Sequence, residues 1–407
     1  MKNKDIISQA EQYILHTYNR YQIALDKGEG VYLYDAEGKK YLDFAAGIAV
    51  FALGYQDKEY NDALKEQIDK LIHTSNLYYN QPAAEAAEKV VKAAGMDKVF
   101  FTNSGTEAIE GAIKVARKYA YLKDGSTDHE IIAMNHSFHG RSMGALSVTG
   151  NPHYQEAFKP LIGGIRFADF NDLDSVRAEL TEKTCAILLE PVQGEGGIYP
   201  ADQEFLDGVK AICREKDILL IFDEIQTFAR LGTYFAAEYY DVEPDIIVFA
   251  KALGAGIPIA GILIHDRLVG FENLMEDMNT FQNNMISFAA ALKTLEIIDR
   301  DALLQNCTEI GEYFVMRLKK MQAHHPEIGD IRGIGLAIGI EMVTDPQSRK
   351  PMCEQKMGEL FSYCREHGLF YQLAHNVIKL KPPIIISREE AERAMDILER
   401  SFDELLP

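Results

Sequence analysis

The sequence predicts an α/β fold built on a mainly parallel sheet with helices covering both faces. Three observations predict it. Apolar runs of strand length recur through the middle of the chain: Lys98–Thr102, Glu130–Met134, Cys185–Leu189, Ile218–Phe222 and Asp245–Phe249. Helix-like stretches lie between several of them, including Ala108 to Lys118 and Ala201 to Lys216. The runs are apolar on both faces rather than alternating, the pattern of strands buried from either side. Sheets of this kind bind ligands at the carboxyl ends of their strands.

The flanking segments follow a different pattern. Near the amino end, Gly30 to Phe44 reads as a strand pair with Ala36-Glu-Gly38 as its turn. Near the carboxyl end, Ile331 to Glu341 is followed by a helix, a strand from Asn376 to Leu380 and a closing helix from Arg388. These ends predict a smaller α+β domain made from residues 1–53 and 300–407, around a large domain at 54–299.

Composition narrows the function. The chain has 407 residues, 47% hydrophobic and 26% charged, which fits two or three folded domains and excludes a disordered chain. A net charge of −20 argues against nucleic-acid partners, and an anionic substrate would need a local cationic pocket. The five cysteines, Cys185, Cys213, Cys307, Cys353 and Cys364, include no CxxC pair. They read as reduced thiols rather than as a disulfide frame or a metal site. No signal-like stretch follows Met1, and no apolar run approaches the roughly 18 residues of a membrane span. The expected compartment is the cytoplasm.

Each apolar run ends in a polar cluster. Asn103-Ser-Gly-Thr-Glu107 follows the first and Asn135-His-Ser-Phe-His-Gly-Arg141 the second; Glu190-Pro-Val-Gln-Gly-Glu195, Asp223-Glu-Ile-Gln-Thr227 and Ala250-Lys251 follow the others. A lysine at a strand end, flanked by Ala250, Ala252 and Gly254, can be desolvated and serve as a Schiff-base nucleophile. A buried Asp223 needs a cationic partner, and a protonated pyridine nitrogen would be one. Taken singly, a strand-end Asp or Lys is more often a capping or ion-pair residue. Ser104, Gly105 and Thr106 open a helix and can cradle a phosphate, although Ser104 with Glu107 fits a capping box equally well. Phe138 in a polar loop suits stacking on a planar ring. The Arg141 fork matches a carboxylate, a surface ion pair being the alternative.

Together these motifs resemble the class III (fold type I) pyridoxal-phosphate-dependent aminotransferases, from about Tyr18 to Leu398. The resemblance rests on Gly47-Ile-Ala-Val50, Phe101–Ala108, Ser137–Arg141, Glu190–Gly197, Phe222–Thr227, Pro244-Asp245 and Ala250-Lys251. It implies that Lys251 carries the cofactor as a Schiff base and shuttles the proton. Asp223 would keep the pyridine nitrogen protonated, Ser104, Gly105 and Thr106 would bind the phosphate, Phe138 would stack on the ring, and Gln226 would face its phenolic oxygen. Thr280 matches the family threonine that reaches the phosphate from the neighbouring subunit, implying a homodimer with shared active sites. Leu71–Leu77 and Ile198–Phe205 are most like acetylornithine and succinylornithine aminotransferases, and the first of these implies a place in arginine biosynthesis. In that subgroup Arg141 takes the α-carboxylate while the distal amine reaches the cofactor. The implied activity moves the terminal amine of an N-acetylornithine-like amino acid to a 2-keto acid such as 2-oxoglutarate. Glu341–Pro351 looks more like 4-aminobutyrate aminotransferases. Racemases and epimerases of the same fold, and a non-catalytic cofactor-binding protein, are the other readings.

Three departures stand out. Phe228–Gly232 replaces a glycine-rich loop and is expected to bring a bulky aromatic near the cofactor. Before Thr280, Met275–Asn279 stands where the family has a Gly-His-Gly type stretch; after it, Gln282-Asn283 replaces Gly-Gly and Met285 a proline, so this loop is expected to run differently. Finally, Lys379 stands where the family has an arginine that pairs with a glutamate at the position of Glu195 and swings to accept 2-oxoglutarate. Lysine keeps the charge and loses the fork, which predicts weaker or altered use of that acceptor.

Overall fold

The structure, a computed structural model, describes residues 2–268 and 276–406. Its centre is a seven-stranded sheet of Lys98–Thr102 (β1), Glu130–Met134 (β2), Ile165–Ala168 (β3), Thr184–Leu189 (β4), Leu219–Asp223 (β5), Ile246–Phe249 (β6) and Ala260–Ile264 (β7). In space they run β1-β7-β6-β5-β4-β2-β3. Strands β6, β5, β4, β2 and β3 are mutually parallel, while β7 lies antiparallel to both β6 and β1. The five expected runs are all strands of this sheet; β3 and β7 are additional.

Alternation along each strand explains why both faces are apolar. Ile131 and Ala133 of β2, with Ala186 and Leu188 of β4, pack on the helix Gly105–Asp124 through Ile109, Ala112 and Ala116. Their neighbours Ile132, Met134, Ile187 and Leu189 pack on the helix Gln203–Lys216 through Phe205, Leu206 and Val209. Every side chain of β4, β5 and β6 is buried, so a polar residue is tolerated only at a strand end. Asp223 is that end on β5.

Residues from both ends of the chain meet outside this sheet. Leu25–Glu29, Tyr32–Asp35 and Lys40–Asp43 form an antiparallel ladder, and Leu369–Phe370 adds to it in parallel with Leu369 opposite Leu42. A second antiparallel sheet joins Ile328–Ile334, Ala337–Asp345, Val377–Leu380 and Gln372–Ala374. Its hairpin is pinned to the centre by Arg230. Fully buried, this guanidinium donates from Nη1 to the carbonyls of Leu336 at 3.2 Å and Pro382 at 2.6 Å. Only glycine fits at Gly335 in that turn: φ is +53°, and a Cβ would lie 2.4 Å from the Arg230 carbonyl oxygen.

All five cysteines are free thiols, four buried and Cys353 exposed. Among the described residues no helix is long and apolar enough to cross a membrane.

Candidate active site

The carboxyl ends of the parallel strands open into a cavity of about 460 Å³. Its walls include Ser104, Gly105 and Thr106 after β1, Phe138 and Arg141 after β2, Asp223 and Gln226 after β5, and Lys251 after β6. Eight of the eleven residues singled out from the sequence therefore line one space. Glu195 and Lys379 lie behind Gln226, and Thr280 is elsewhere.

Lys251 is held in an uncommon way. Its φ of +46° is in the left-handed region, where a side chain costs roughly 1–2 kcal/mol, and it begins a short 3₁₀ turn through Gly254. Burial pushes its ammonium below the ordinary lysine value, against the pull of Glu195, Asp223 and Glu190. A nucleophilic amine needs that direction of shift.

Asp223 accepts from His139 Nδ1 at 2.7 Å and from the Ile225 N–H at 3.0 Å. A carboxylate only accepts, so the proton of this pair resides on Nδ1. His139 Nε2 is buried with no partner. Beside them Glu190 accepts the Phe138 N–H at 2.9 Å and the Gly194 N–H at 3.0 Å. Burial is the main cause that carries its carboxyl up to about 7, with Asp223 adding to the rise and His139 opposing it.

The phosphate cradle and the capping box turn out to be the same residues. Ser104 Oγ accepts the Glu107 N–H while Glu107 accepts the N–H groups of Asn103 and Ser104, leaving the amides of Gly105 and Thr106 unused by the cap. A Cβ at Gly105 would lie 2.7 Å from Ile225 Cδ1. Thr106 Oγ1 is 2.7 Å from Ser142 Oγ. The sequence reading offered these as alternatives; geometry satisfies both.

At the rim, Phe138 is half-buried and meets Tyr154 edge-on at 6.3 Å. The Arg141 guanidinium stacks 3.7 Å above the Tyr154 ring and 5.2 Å from that of Phe138. No carboxylate among the described residues lies within ion-pair distance of it, which removes the surface ion pair expected as the alternative.

A second cluster sits behind Gln226. Lys379 and Lys381, two apart at the end of one strand, point to the same side. Lys379 Nζ lies 2.9 Å from Glu195 Oε2, and Lys381 Nζ lies 3.6 Å from Oε1. Gln226 donates from Nε2 to Glu195 Oε1 at 3.2 Å and accepts at Oε1 from Lys381 at 2.8 Å. Burial would raise the Glu195 carboxyl, but Lys381 and Lys379 overcome it and hold it well below the usual range.

One expectation about a loop is corrected. Phe228 does not approach the cavity. Its N–H and that of Thr227 turn back onto the Glu224 carbonyl, and the ring packs in the core against Phe235 at 5.2 Å and Tyr234 at 5.9 Å. In the loop after Thr280 neither Gln282 nor Asn283 has a positive φ, so both side chains sit there without backbone strain. Asn283 is instead a buried clip, donating to Thr74 Oγ1 and Ser75 O at 3.0 Å and accepting from Asn80 at 2.6 Å. Met285 opens the helix Met285–Arg300 and donates its N–H to the Ile72 carbonyl at 2.9 Å, a bond that proline would not make. Thr280 is exposed beside Phe281 and does not line this chain's cavity; Met275 lies outside the described residues.

His139, Glu190 and Lys381 were not singled out. His139 sits inside a quoted motif, and a histidine between Phe138 and Gly140 at a strand end was the available signal. Nothing local marks Lys381, since its partners are Gln226, 155 residues away, and Glu195.

The residues fit pyridoxal phosphate. A desolvated amine, a buried carboxylate, a helix start with free amides and a glycine that admits no side chain surround one space of sufficient size.

The model of the family described as "Aminotransferase class-III" matches residues 13–402. The acetylornithine aminotransferase of Clostridium acetobutylicum is 42% identical over 97% of this chain and 100% of its own length. That of Archaeoglobus fulgidus is 39% identical over 97% and 99%. Among solved structures, the ornithine aminotransferase of Toxoplasma gondii, described with partial occupancy of PLP at its active site, superposes with a TM-score of 0.93. It is 27% identical and the match covers 99% of this chain and 95% of that one. A Bacillus anthracis aminotransferase gives 0.93 at 29% identity over 99% and 100%.

Proposed function

The chain belongs to the class-III aminotransferase family, and from that premise we propose that it transfers the terminal amino group of N-acetylornithine to a 2-keto acid such as 2-oxoglutarate. The cavity carries the reading: a strained, buried lysine and a buried carboxylate at its floor, and an unpaired guanidinium over an aromatic ring at its rim.

Pyridoxal phosphate, when bound, supplies a carbonyl that exchanges with amines and a ring that takes up the electron pair released at the amine-bearing carbon. The protein supplies the rest. Asp223, held by His139 and the Ile225 amide, presents a fixed negative charge that keeps a ring nitrogen protonated. Ser104, Gly105 and Thr106 would hold the phosphate, and Phe138 would pack on the ring. Lys251 Nζ, its proton affinity lowered by burial, takes the proton from the substrate carbon and returns it. Arg141 orients the donor by its α-carboxylate, so the distal amine points inward.

Thr280 serves the neighbouring copy in a homodimer with shared sites. It stands among exposed Leu71, Ile72, Leu77, Tyr79 and Phe281, an apolar patch suited to a second copy of the chain. A cytoplasmic place in arginine biosynthesis follows from this reading. The stretch Glu341–Pro351, which looks like 4-aminobutyrate enzymes, contributes nothing to the cavity wall, and Glu341 instead pairs with Arg332 at 2.7 Å.

The test is the visible absorption of the cofactor-loaded protein, before and after N-acetylornithine is added without a keto acid. Loss of the yellow band is expected. A band stable to N-acetylornithine but lost with 4-aminobutyrate would move the donor assignment, and interconversion of enantiomers with no loss of amine would indicate a racemase.

A further inference from the structure

Tyr154 has no role in the reading above, yet its ring touches two residues that do. The Arg141 guanidinium carbon lies 3.7 Å above the centroid of the ring, close enough for fork and ring to lie face to face. A fork covered on its face keeps its N–H donors, which lie in its plane, free at the edge. The same ring meets Phe138 edge-on, with centroids 6.3 Å apart and planes at 89°. One side chain thus backs both the residue assigned to the cofactor ring and the residue assigned to the carboxylate.

The ring is placed by its own segment rather than by Arg141. Asn151 Oδ1 accepts the His153 N–H at 3.1 Å and the Asn151 carbonyl accepts the Tyr154 N–H at 3.0 Å, which sets the turn Pro152–Gln155. Beside Tyr154, the Gln155 Nε2 amide is shared among the carbonyls of Leu146 and Thr149, each at 2.9 Å, and Ser147 at 3.2 Å. Those carbonyls belong to or follow the helix Met143–Ser147, which begins two residues after Arg141. The turn is therefore tied to the backbone that carries the fork. An acidic neighbour could also hold Arg141, but it would occupy the N–H edge that an incoming carboxylate needs. An aromatic face attracts the cation through the ring quadrupole and leaves that edge empty.

Resting on the donor reading given to Arg141, we propose that Tyr154 is a positioning residue for the amino donor: its ring holds the Arg141 fork in place of a counter-ion and keeps the N–H edge open for the α-carboxylate. The arrangement uses the ring face and not the phenol hydroxyl. It benefits only donors that carry the carboxylate, because only they meet the fork.

The experiment measures kcat and KM of the cofactor-loaded protein for N-acetylornithine and for its decarboxylated counterpart, N-acetylputrescine. Calorimetry adds the Kd of N-acetylnorvaline, which keeps the α-carboxylate and lacks the distal amine, so it binds without reacting. In Tyr154→Leu, and in Tyr154→Met should the leucine variant not fold, the KM for N-acetylornithine and the Kd of N-acetylnorvaline should rise together by about 5- to 30-fold, the range of a lost cation–π contact, with kcat changed by less than about threefold. The KM for N-acetylputrescine should stay as it is. Tyr154→Phe should behave as the wild type. In an Arg141→Met background, Tyr154→Leu should add no further loss. Equal losses for both donors, a further loss in that background, or a phenylalanine variant as weak as the leucine one overturns the proposal. So does a wild type that binds N-acetylnorvaline no better than Tyr154→Leu. A yellow band that does not respond to N-acetylornithine, with N-acetylnorvaline binding still dependent on Tyr154, would overturn the donor assignment alone.

Discussion

The floor of the cavity and the cluster behind Gln226 are both buried and both charged, but they are assembled differently. The floor comes from adjacent strand ends. Asp223 closes β5, Lys251 follows β6, Glu190 follows β4 and His139 follows β2, all neighbours in one parallel sheet. Each side chain is aimed by a few residues of local backbone. The cluster joins Glu195 to Lys379 across 184 residues and Gln226 to Lys381 across 155, and it exists only because Arg230 and the Leu336 and Pro382 carbonyls hold the carboxyl-terminal sheet in place. Chemistry common to many substrates is built on the rigid sheet; the choice of substrate is built where two sheets meet.

If that division is right, losses should be largest on the floor. Lys251→Ala should lower turnover by about four orders of magnitude, the upper range for a removed general acid–base, in a protein that still melts cooperatively. A loss below about tenfold would move the proton transfer to another group. Asp223→Asn should cost roughly 10²–10³ in kcat, the range for a removed preorganised electrostatic partner, with little change in the donor KM.

At the rim the effect should shift from kcat to KM. Arg141→Met removes an unpaired guanidinium, and a charge-assisted bond of about 1.5–3 kcal/mol corresponds to a donor KM raised about 10- to 100-fold. A donor lacking the α-carboxylate should be indifferent to the change. Lys379→Arg restores a planar fork opposite Glu195 and should lower the KM for 2-oxoglutarate by a few-fold, about one added hydrogen bond's worth. An ordinary KM for 2-oxoglutarate, not improved by this substitution, would remove the case for weakened acceptor use.

The same division explains what could be read without coordinates. Lys98–Thr102 and Glu130–Met134 were legible to the residue because a doubly covered strand must be apolar throughout and its polar end marks the site. β7 was missed because Gly261 interrupts the apolar run Ala260–Ile264. The direction of Phe228 was misjudged because an aromatic near a motif carries no sign of which way the turn faces. The Asn283 clip could not be read for a related reason: its partners Thr74, Ser75 and Asn80 lie more than 200 residues away. Lys381 was invisible because its partners are distant in sequence and an isolated lysine before Pro-Pro resembles any surface lysine.

On the floor itself the effect on stability, rather than on turnover, concerns Glu190. Its carboxyl, ordinarily near 4.5, stays protonated in the fold up to about 7. The unfolded chain therefore releases its proton first, and the folded state loses stability as pH rises from about 4.5 to 7, then no further. At about 1.4 kcal/mol per unit the window spans on the order of 3–4 kcal/mol. Glu190→Gln cannot ionise, so its denaturation midpoint should vary less across that window. Its absolute stability should also fall, because one amide oxygen cannot accept both the Phe138 and Gly194 N–H groups and the other faces an NH₂. The slope against pH, not the midpoint at one pH, is thus the measurement that isolates the charge. Unfolding curves at several pH values between 5 and 8 would provide it. A wild-type slope unchanged by the substitution would mean that Glu190 is not the group that titrates in this window.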